Sequence, residues 1–264
     1  MAQLTPIPAL APTDLDGIAA FFDEYGFALV RGLYEVDLLA ALDQECADAQ
    51  ARLGRRELSD RDLIRYGTDV LDDPDAHVGG QPFAHYVCYI TELSPAADKA
   101  SRDAFFPEIG RRILHTDDPW LLDYERFGVV YQDARTGDGT YYSRIGWHSD
   151  WQSGPHLTCW PTFAFTIHLD PTSPANGFLR VVPRSHKVPP DGMPPAFERI
   201  PGEIAVYAER GDVLLHDGHL WHSAARATVD GETGIRRHLR GGWYGGERIE
   251  EGHGLDDFVK NAAR

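Results

Sequence analysis

Residues 157–182 read LTCWPTFAFTIHLDPTSPANGFLRVV. Aromatic and β-branched residues crowd the first half. A cluster of Pro, Ser, Asn and Gly interrupts it, and a second apolar run follows, which is the pattern of two strands joined by a turn. The same texture extends in both directions from about residue 127 onward. Short β-rich runs fall at Phe127–Tyr131, Tyr141–Trp147, Leu157–Leu169, Phe178–Val182, Ile204–Tyr207, Asp212–His216 and His238–Tyr244. Such a succession of short strands predicts a sandwich, a barrel or a jelly roll.

Upstream, the period changes. Leu15, Ile18, Phe22 and Tyr25 recur at helical spacing, behind a capping pair expected at Thr13 and Asp16 and ahead of Gly26 as the C-terminal cap. Phe27–Val30 is a short strand, and a second helix carries Leu38, Leu42, Cys46, Ala49 and Leu53 before ending at Gly54. Residues 55–80, crowded with Arg and Asp, are expected as a solvated surface helix or loop, with an active-site lid as the alternative. Residues 95–126 are expected to be helical. The reading is one domain: 1–126 mostly helical support, 127–246 the β core, and 247–264 a flexible tail or covering flap.

Bulk properties exclude several roles. A formal charge of −16 repels phosphate backbones and anionic headgroups, so neither nucleic acid nor a membrane surface is expected as a partner. Cys46, Cys88 and Cys159 lie far apart with no CxxC pattern, which fits a reducing, cytoplasmic setting better than a disulfide framework. No signal-peptide pattern opens the chain, and no apolar run approaches the roughly 20 residues of a membrane span. Oligomeric state leaves no trace in the sequence.

Trp147-His148-Ser149-Asp150 closes an expected strand. On extended backbone, His148 and Asp150 project from one face and can share one metal ion. A third ligand must come from elsewhere, and His216, His219 and His222 all follow the Gly211-Asp212 strand. Two imidazoles and one carboxylate leave three positions open, the facial set of non-haem Fe(II) oxygenases, in which O2 and an organic co-substrate must both bind. His115-Thr116-Asp117 repeats the spacing, but in a loop context that would not align the pair.

Four blocks together resemble the phytanoyl-CoA dioxygenase family, including its ectoine-hydroxylase branch. They are His148-Ser149-Asp150-Trp151, the run from Asn176-Gly177-Phe178 through Val182-Pro183-Arg184-Ser185-His186-Lys187, Gly211-Asp212-Val213-Leu214-Leu215-His216, and Trp221-His222-Ser223. The resemblance covers most of the chain. It implies a mainly β double-stranded β-helix (a cupin-like jelly roll) with a helical N-terminal third, and Fe(II), 2-oxoglutarate and O2 as cofactor and co-substrates. It makes His222 the third ligand beside His148 and Asp150. Arg236 becomes the clamp for the distal carboxylate of 2-oxoglutarate, with Arg240, on the same face, as the alternative; Arg237 points to the opposite face and is expected to be solvated. Thr166, which shares a strand face with Ala164 and His168, and Gln132 are implied as co-substrate contacts.

Two departures stand out. Arg184 replaces the family's usual turn glycine, so an altered turn is expected there. Ala224 stands where some members carry a serine near the co-substrate. Asp150 is retained where halogenating relatives carry a small residue, so the resemblance implies hydroxylation or a related oxidation of an unactivated C–H bond in a small molecule, with release of succinate and CO2. Trp147, Trp151, Arg144, Arg135, His156 and Trp221 flank the metal block and are candidates to line a substrate pocket. A non-redox cupin-like metalloenzyme and a catalytically silent binding module are the rival readings.

Overall fold

A computed structural model describes residues 6–66, 77–78, 81–82, 86–122, 129–132, 145–153, 157–188, 193, 199–229 and 232–249. Strand β1 (Ala9–Leu10) leads into helix α1 (Leu15–Tyr25), strand β2 (Phe27–Val30), and helices α2 (Val36–Gly54) and α3 (Asp60–Tyr66). Short strands β3 (His77–Val78), β4 (Gln81–Pro82) and β5 (Tyr86–Val87) precede helices α4 (Ile90–Leu93), α5 (Pro95–Ser101) and α6 (Phe105–Ile113). Strands then dominate: β6 (Trp120–Leu121), β7 (Val129–Gln132), β8 (Ile145–His148), β9 (Thr162–His168), β10 (Leu179–Val181), β11 (Ile204–Val206), β12 (Val213–Asp217), β13 (His222–Ala224) and β14 (Arg236–Tyr244).

Two sheets form the core of the fold. The larger runs β1-β2-β12-β9-β14-β7-β5, with β6 also paired to β14, and the smaller runs β11-β10-β13-β8. From β7 onward the chain crosses repeatedly between the two sheets, giving the double-stranded β-helix expected from the sequence. Side-chain alternation assigns each face a task. On β9, Phe163, Phe165 and Ile167 join Leu239 and Trp243 of β14 in a core shared with Ile18 and Phe22 of α1, Leu42 of α2 and Phe106 of α6. The opposite faces of β9 and β14 look toward the smaller sheet. Strand β2 is buried on both sides: Ala28 and Val30 meet the helical core, and Phe27 and Leu29 pack with Val181, Val206, Leu214 and Leu220 between the sheets.

Several boundaries differ from expectation. The cap of α1 is Asp14, whose carboxylate accepts from Gly17 N at 3.0 Å, because the helix starts at Leu15 and an Asp one residue earlier reaches that free N–H. Helix does not persist to 126: α6 ends at Ile113, and after Asp117-Asp118-Pro119 the chain is strand β6. The strand expected from Leu157 begins only at Thr162, since Pro161 has no N–H for the ladder. Strand β13 escapes pattern reading because it has only three residues. In the expected tail, Gly246 N and Glu247 N donate to Cys159 O and Thr158 O, both at 3.0 Å, so that stretch is docked, while residues 250–264 lie outside the described residues. Of residues 55–80, α3 is the helical part; 67–76 and 79–80 lie outside the description.

The expected turn distortion at Arg184 does not occur. Arg184 adopts φ 71°, the backbone a glycine would take there. Its guanidinium Nε donates to Glu24 at 2.9 Å and lies 5.0 Å from the Tyr25 ring, which offsets the strain of a left-handed non-glycine residue. The turn it opens docks onto the end of α1, with His186 Nε2 3.0 Å from Asp23 O. Gly26 fits this junction for two reasons: its φ is 83°, and a Cβ there would stand 2.4 Å from the His186 ring. Gly26→Ala is therefore expected to destabilise the fold by at least about 1–2 kcal/mol from the backbone alone. Equilibrium urea unfolding measures this; an unchanged midpoint would remove the junction from the account.

Candidate metal centre

His148 ends β8 and His222 opens β13, and the two residues are direct cross-strand partners. Their rings lie 4.1 Å apart as a result. Each ring is held by its own backbone: His148 Nδ1 sits 2.9 Å from Gly146 O, and His222 Nδ1 sits 2.9 Å from Leu220 O. A carbonyl only accepts, so both Nδ1 atoms carry the proton and both Nε2 lone pairs are available to a cation. Asp150 is not on extended backbone. It opens a single turn of 3-10 helix, Asp150–Ser153, pinned by Trp151 N donating to Gly218 O at 2.8 Å and Ser149 N donating to Gln152 Oε1 at 3.2 Å. That turn brings Asp150 Oδ1 to 3.8 Å from His148 Nε2 and 3.7 Å from His222 Nε2.

Among the described residues, these three form the one group of metal-competent side chains whose donor atoms all lie within 4.8 Å of one another. His115 and Asp117 fall in the turn after α6 and are not part of such a group, as their loop context suggested. His219 stacks on Trp151 at 5.5 Å and pairs with Asp217 at 3.3 Å, away from the centre. His216, buried on β12, places Nε2 3.1 Å from Asp150 Oδ2 but lies outside the ligand group.

The protonation states suit a cation. Burial opposes the charge on Asp150, yet His222, the His216 hydrogen bond and Arg240 outweigh it and hold the carboxyl well below its ordinary value. Burial is the main force keeping His148 and His222 neutral; the neighbouring His148 and His216 push His222 lower still. An anionic carboxylate and two neutral imidazoles are the forms a divalent metal requires.

The group opens onto a cavity between the sheets. Its wall on the larger sheet carries Thr166, His168, Arg236, His238 and Arg240. Register orders them: Arg240 pairs with Thr166, His238 with His168, and Arg236 with Gln132 of β7. Thr166 and Arg236 thus face the cavity as expected; the Gln132 side chain lies outside the described residues. Arg236 is buried, which lowers its pKa to about 10, so it stays cationic at neutral pH. Ala224 also lines the cavity.

Arg237 corrects an expectation. It does not project freely into solvent but bonds Asp170 at 2.7 Å and Asp43 of α2 at 2.6 Å, because these two carboxylates lie within reach of the outer face at the start of β14. The pocket tryptophans are likewise reassigned. Trp147 packs under the Arg180 guanidinium at 4.8 Å, on the strand face opposite His148, and neither it, Trp151 nor Trp221 is among the described cavity residues. Arg135, Arg144 and His156 lie outside the described residues.

Two further motif residues prove structural. Asp212 binds Arg31 of the β2–α2 connection through two hydrogen bonds at 2.8 and 2.7 Å. Ser185 Oγ accepts from Trp221 N at 2.8 Å, which fixes the residue before His222.

Sequence reasoning did not single out His168, although the alternation that placed Thr166 placed His168 with it. His168 is 4% exposed, and both ring nitrogens are buried without a hydrogen-bond partner. Such an orphan facing a cavity beside a buried guanidinium is what a bound carboxylate would satisfy. With the N2O donor set, this makes the residues present a fit for Fe(II) and a 2-oxo diacid.

Residues 22–236 match the phytanoyl-CoA dioxygenase (PhyH) family, so the chain belongs to that family and is an Fe(II)- and 2-oxoglutarate-dependent oxygenase. The rival readings, a non-redox cupin and a silent binding module, are not favoured. No curated protein sequence matches it significantly. Solved structures with the same fold include iron-bound EctD from S. alaskensis, at 18% identity and TM-score 0.64, covering 97% of this chain and 88% of that one. They also include AviO1 from Streptomyces viridochromogenes, at 19% identity and TM-score 0.62, covering 90% and 98%. A third is SnoN, an epimerase from nogalamycin biosynthesis dependent on alpha-ketoglutarate, at 19% identity and TM-score 0.61, covering 88% and 81%. Among the described residues, no helix is long and apolar enough to cross a membrane.

Burial holds the His168 pKa near 3 against 6.5 for a free side chain. The folded state therefore binds fewer protons than the unfolded state between those values. Its contribution is fully present above pH 6.5 and is lost as the pH falls toward 3, at up to roughly 1.4 kcal/mol per pH unit. His168→Gln is expected to flatten the fall in unfolding free energy between pH 6.5 and 4.5; an unaltered slope would mean His168 is not the buried neutral group described.

Proposed function

We propose that His148, Asp150 and His222 hold Fe(II), and that Arg236 clamps the distal carboxylate of 2-oxoglutarate in a single oxygenase domain acting in the cytoplasm. The substrate is a small molecule, oxidised at an unactivated C–H bond, by hydroxylation in the simplest case. One observation carries this reading: His148 and His222, which share a donor group with Asp150, line one cavity between the two sheets together with a buried arginine. When bound, the iron and the 2-oxo acid supply the oxidising chemistry, with O2 consumed and succinate and CO2 released.

The protein's residues do the positioning. The two Nδ1–carbonyl hydrogen bonds fix which nitrogen faces the metal. The guanidinium of Arg236 offers a planar, bidentate match to a carboxylate. His168 supplies a neutral N–H beside it, replacing the donor that Ala224 lacks, and Thr166 adds a hydroxyl on the same wall. SnoN has been crystallised with Fe3+, alpha-ketoglutarate and nogalamycin RO, and EctD with 2-oxoglutarate and 5-hydroxyectoine; a small-molecule substrate for this chain accords with that.

Anaerobic calorimetry of the Fe(II)-loaded protein tests the clamp. Arg236→Leu is expected to weaken 2-oxoglutarate binding on the order of 100-fold, the loss of a buried charge-assisted pair. Binding of 2-oxobutyrate, which lacks the distal carboxylate, should hardly change. Should Arg236→Leu bind 2-oxoglutarate like the parent while Arg240→Leu does not, the clamp is Arg240.

A further inference from the structure

The two oxygens of Asp150 have different neighbours. Oδ1 faces His148 Nε2 at 3.8 Å and His222 Nε2 at 3.7 Å. Oδ2 lies 3.1 Å from His216 Nε2, and the His216 ring itself sits 4.4 Å from that of His222. An ionised carboxylate only accepts, so His216 donates through Nε2–H, while its Nδ1 is buried with no hydrogen-bond partner. We propose that His216 is a positioning residue that reserves Oδ2 and so restricts Asp150 to binding the metal through Oδ1 alone. The proposal rests on the metal assignment above.

The consequence is chemical. A carboxylate on iron can bind through one oxygen or two. Two-oxygen binding would occupy one of the three positions that a 2-oxo acid chelate and O2 require. Among the described residues, the hydrogen bond to Oδ2 comes from His216. His216 is well placed to impose the restraint. It sits on β12 inside the larger sheet, between Phe27 of β2 and Ala164 of β9, and is 5% exposed. The small side chain of Ala164 leaves room for the imidazole on the cavity face. His216, on the larger sheet, and Asp150, in the turn that follows β8 of the smaller sheet, are 66 residues apart in sequence, so the contact ties that turn to the larger sheet.

The test separates metal binding from co-substrate binding. Parent, His216→Leu and His216→Gln proteins are titrated anaerobically with Fe(II), then with 2-oxoglutarate, following the visible charge-transfer absorption of the chelate. Leucine removes the donor, whereas the glutamine amide can restore it. The expected result is that His216→Leu binds Fe(II) within a few-fold of the parent but binds 2-oxoglutarate 10–100-fold more weakly, the usual scale for an outer partner of a metal ligand. His216→Gln should recover most of that loss. If His216→Leu chelates 2-oxoglutarate like the parent, the proposal fails. If both variants lose Fe(II) together with 2-oxoglutarate, His216 is a ligand or a packing residue and the proposal also fails. A parent protein that binds no Fe(II), or no 2-oxoglutarate once loaded, would instead overturn the metal assignment itself.

Discussion

The cross-strand pairing of His148 with His222 is the constraint on which the rest of the site depends. It joins β8 and β13 in the smaller sheet and sets two imidazoles 4.1 Å apart. A register slip of one residue would turn either ring to the other face of the sheet. Much of the surrounding structure guards against that slip. Ser185 holds Trp221 N, Leu220 O holds the His222 ring, and Gly218 O anchors the turn that carries Asp150. The Ser-His-Lys turn, conspicuous in the sequence and without a catalytic group of its own, serves as the strut between the end of α1 and this strand pair.

The cavity has an electrostatic cost that its ligands would relieve. Arg236 is almost fully buried, His168 has two orphan nitrogens, and Asp150 keeps its charge against burial only through neighbouring imidazoles and Arg240. A divalent cation and a dicarboxylate would complement these groups in charge and hydrogen bonding. The helical core behind the larger sheet, built on Phe106, Phe163, Phe165 and Trp243, offsets that cost from a distance. This division places stability on one face of β9 and β14 and chemistry on the other.

How much of this was legible in the sequence varies with distance along the chain. The strands of the core and Gly26 as a helix cap follow from local pattern, which backbone geometry enforces; Thr166 and Arg236 came from the family resemblance. The choice of His222 over His216 did not follow from spacing, because both lie in the same short segment; it came from the family resemblance. The His216–Asp150 contact was invisible, since it links residues 66 apart through two different sheets. Arg237 was misjudged because strand alternation says which face a residue takes but not that Asp43 and Asp170 wait there to pair with it. Arg184 was misjudged because the Glu24 and Tyr25 contacts that support its left-handed backbone lie 160 residues and one helix end away.

The central claim is that His148, Asp150 and His222 present one site for Fe(II) within reach of a clamped 2-oxo acid. Anaerobic addition of 2-oxoglutarate to the Fe(II)-loaded protein tests it most directly, read by the visible metal-to-ligand charge-transfer band. The account predicts a band in the parent protein that is absent in His148→Ala and in His222→Ala, with both variants folded by circular dichroism. A parent that binds iron but shows no band, or a band that survives loss of either histidine, would contradict it.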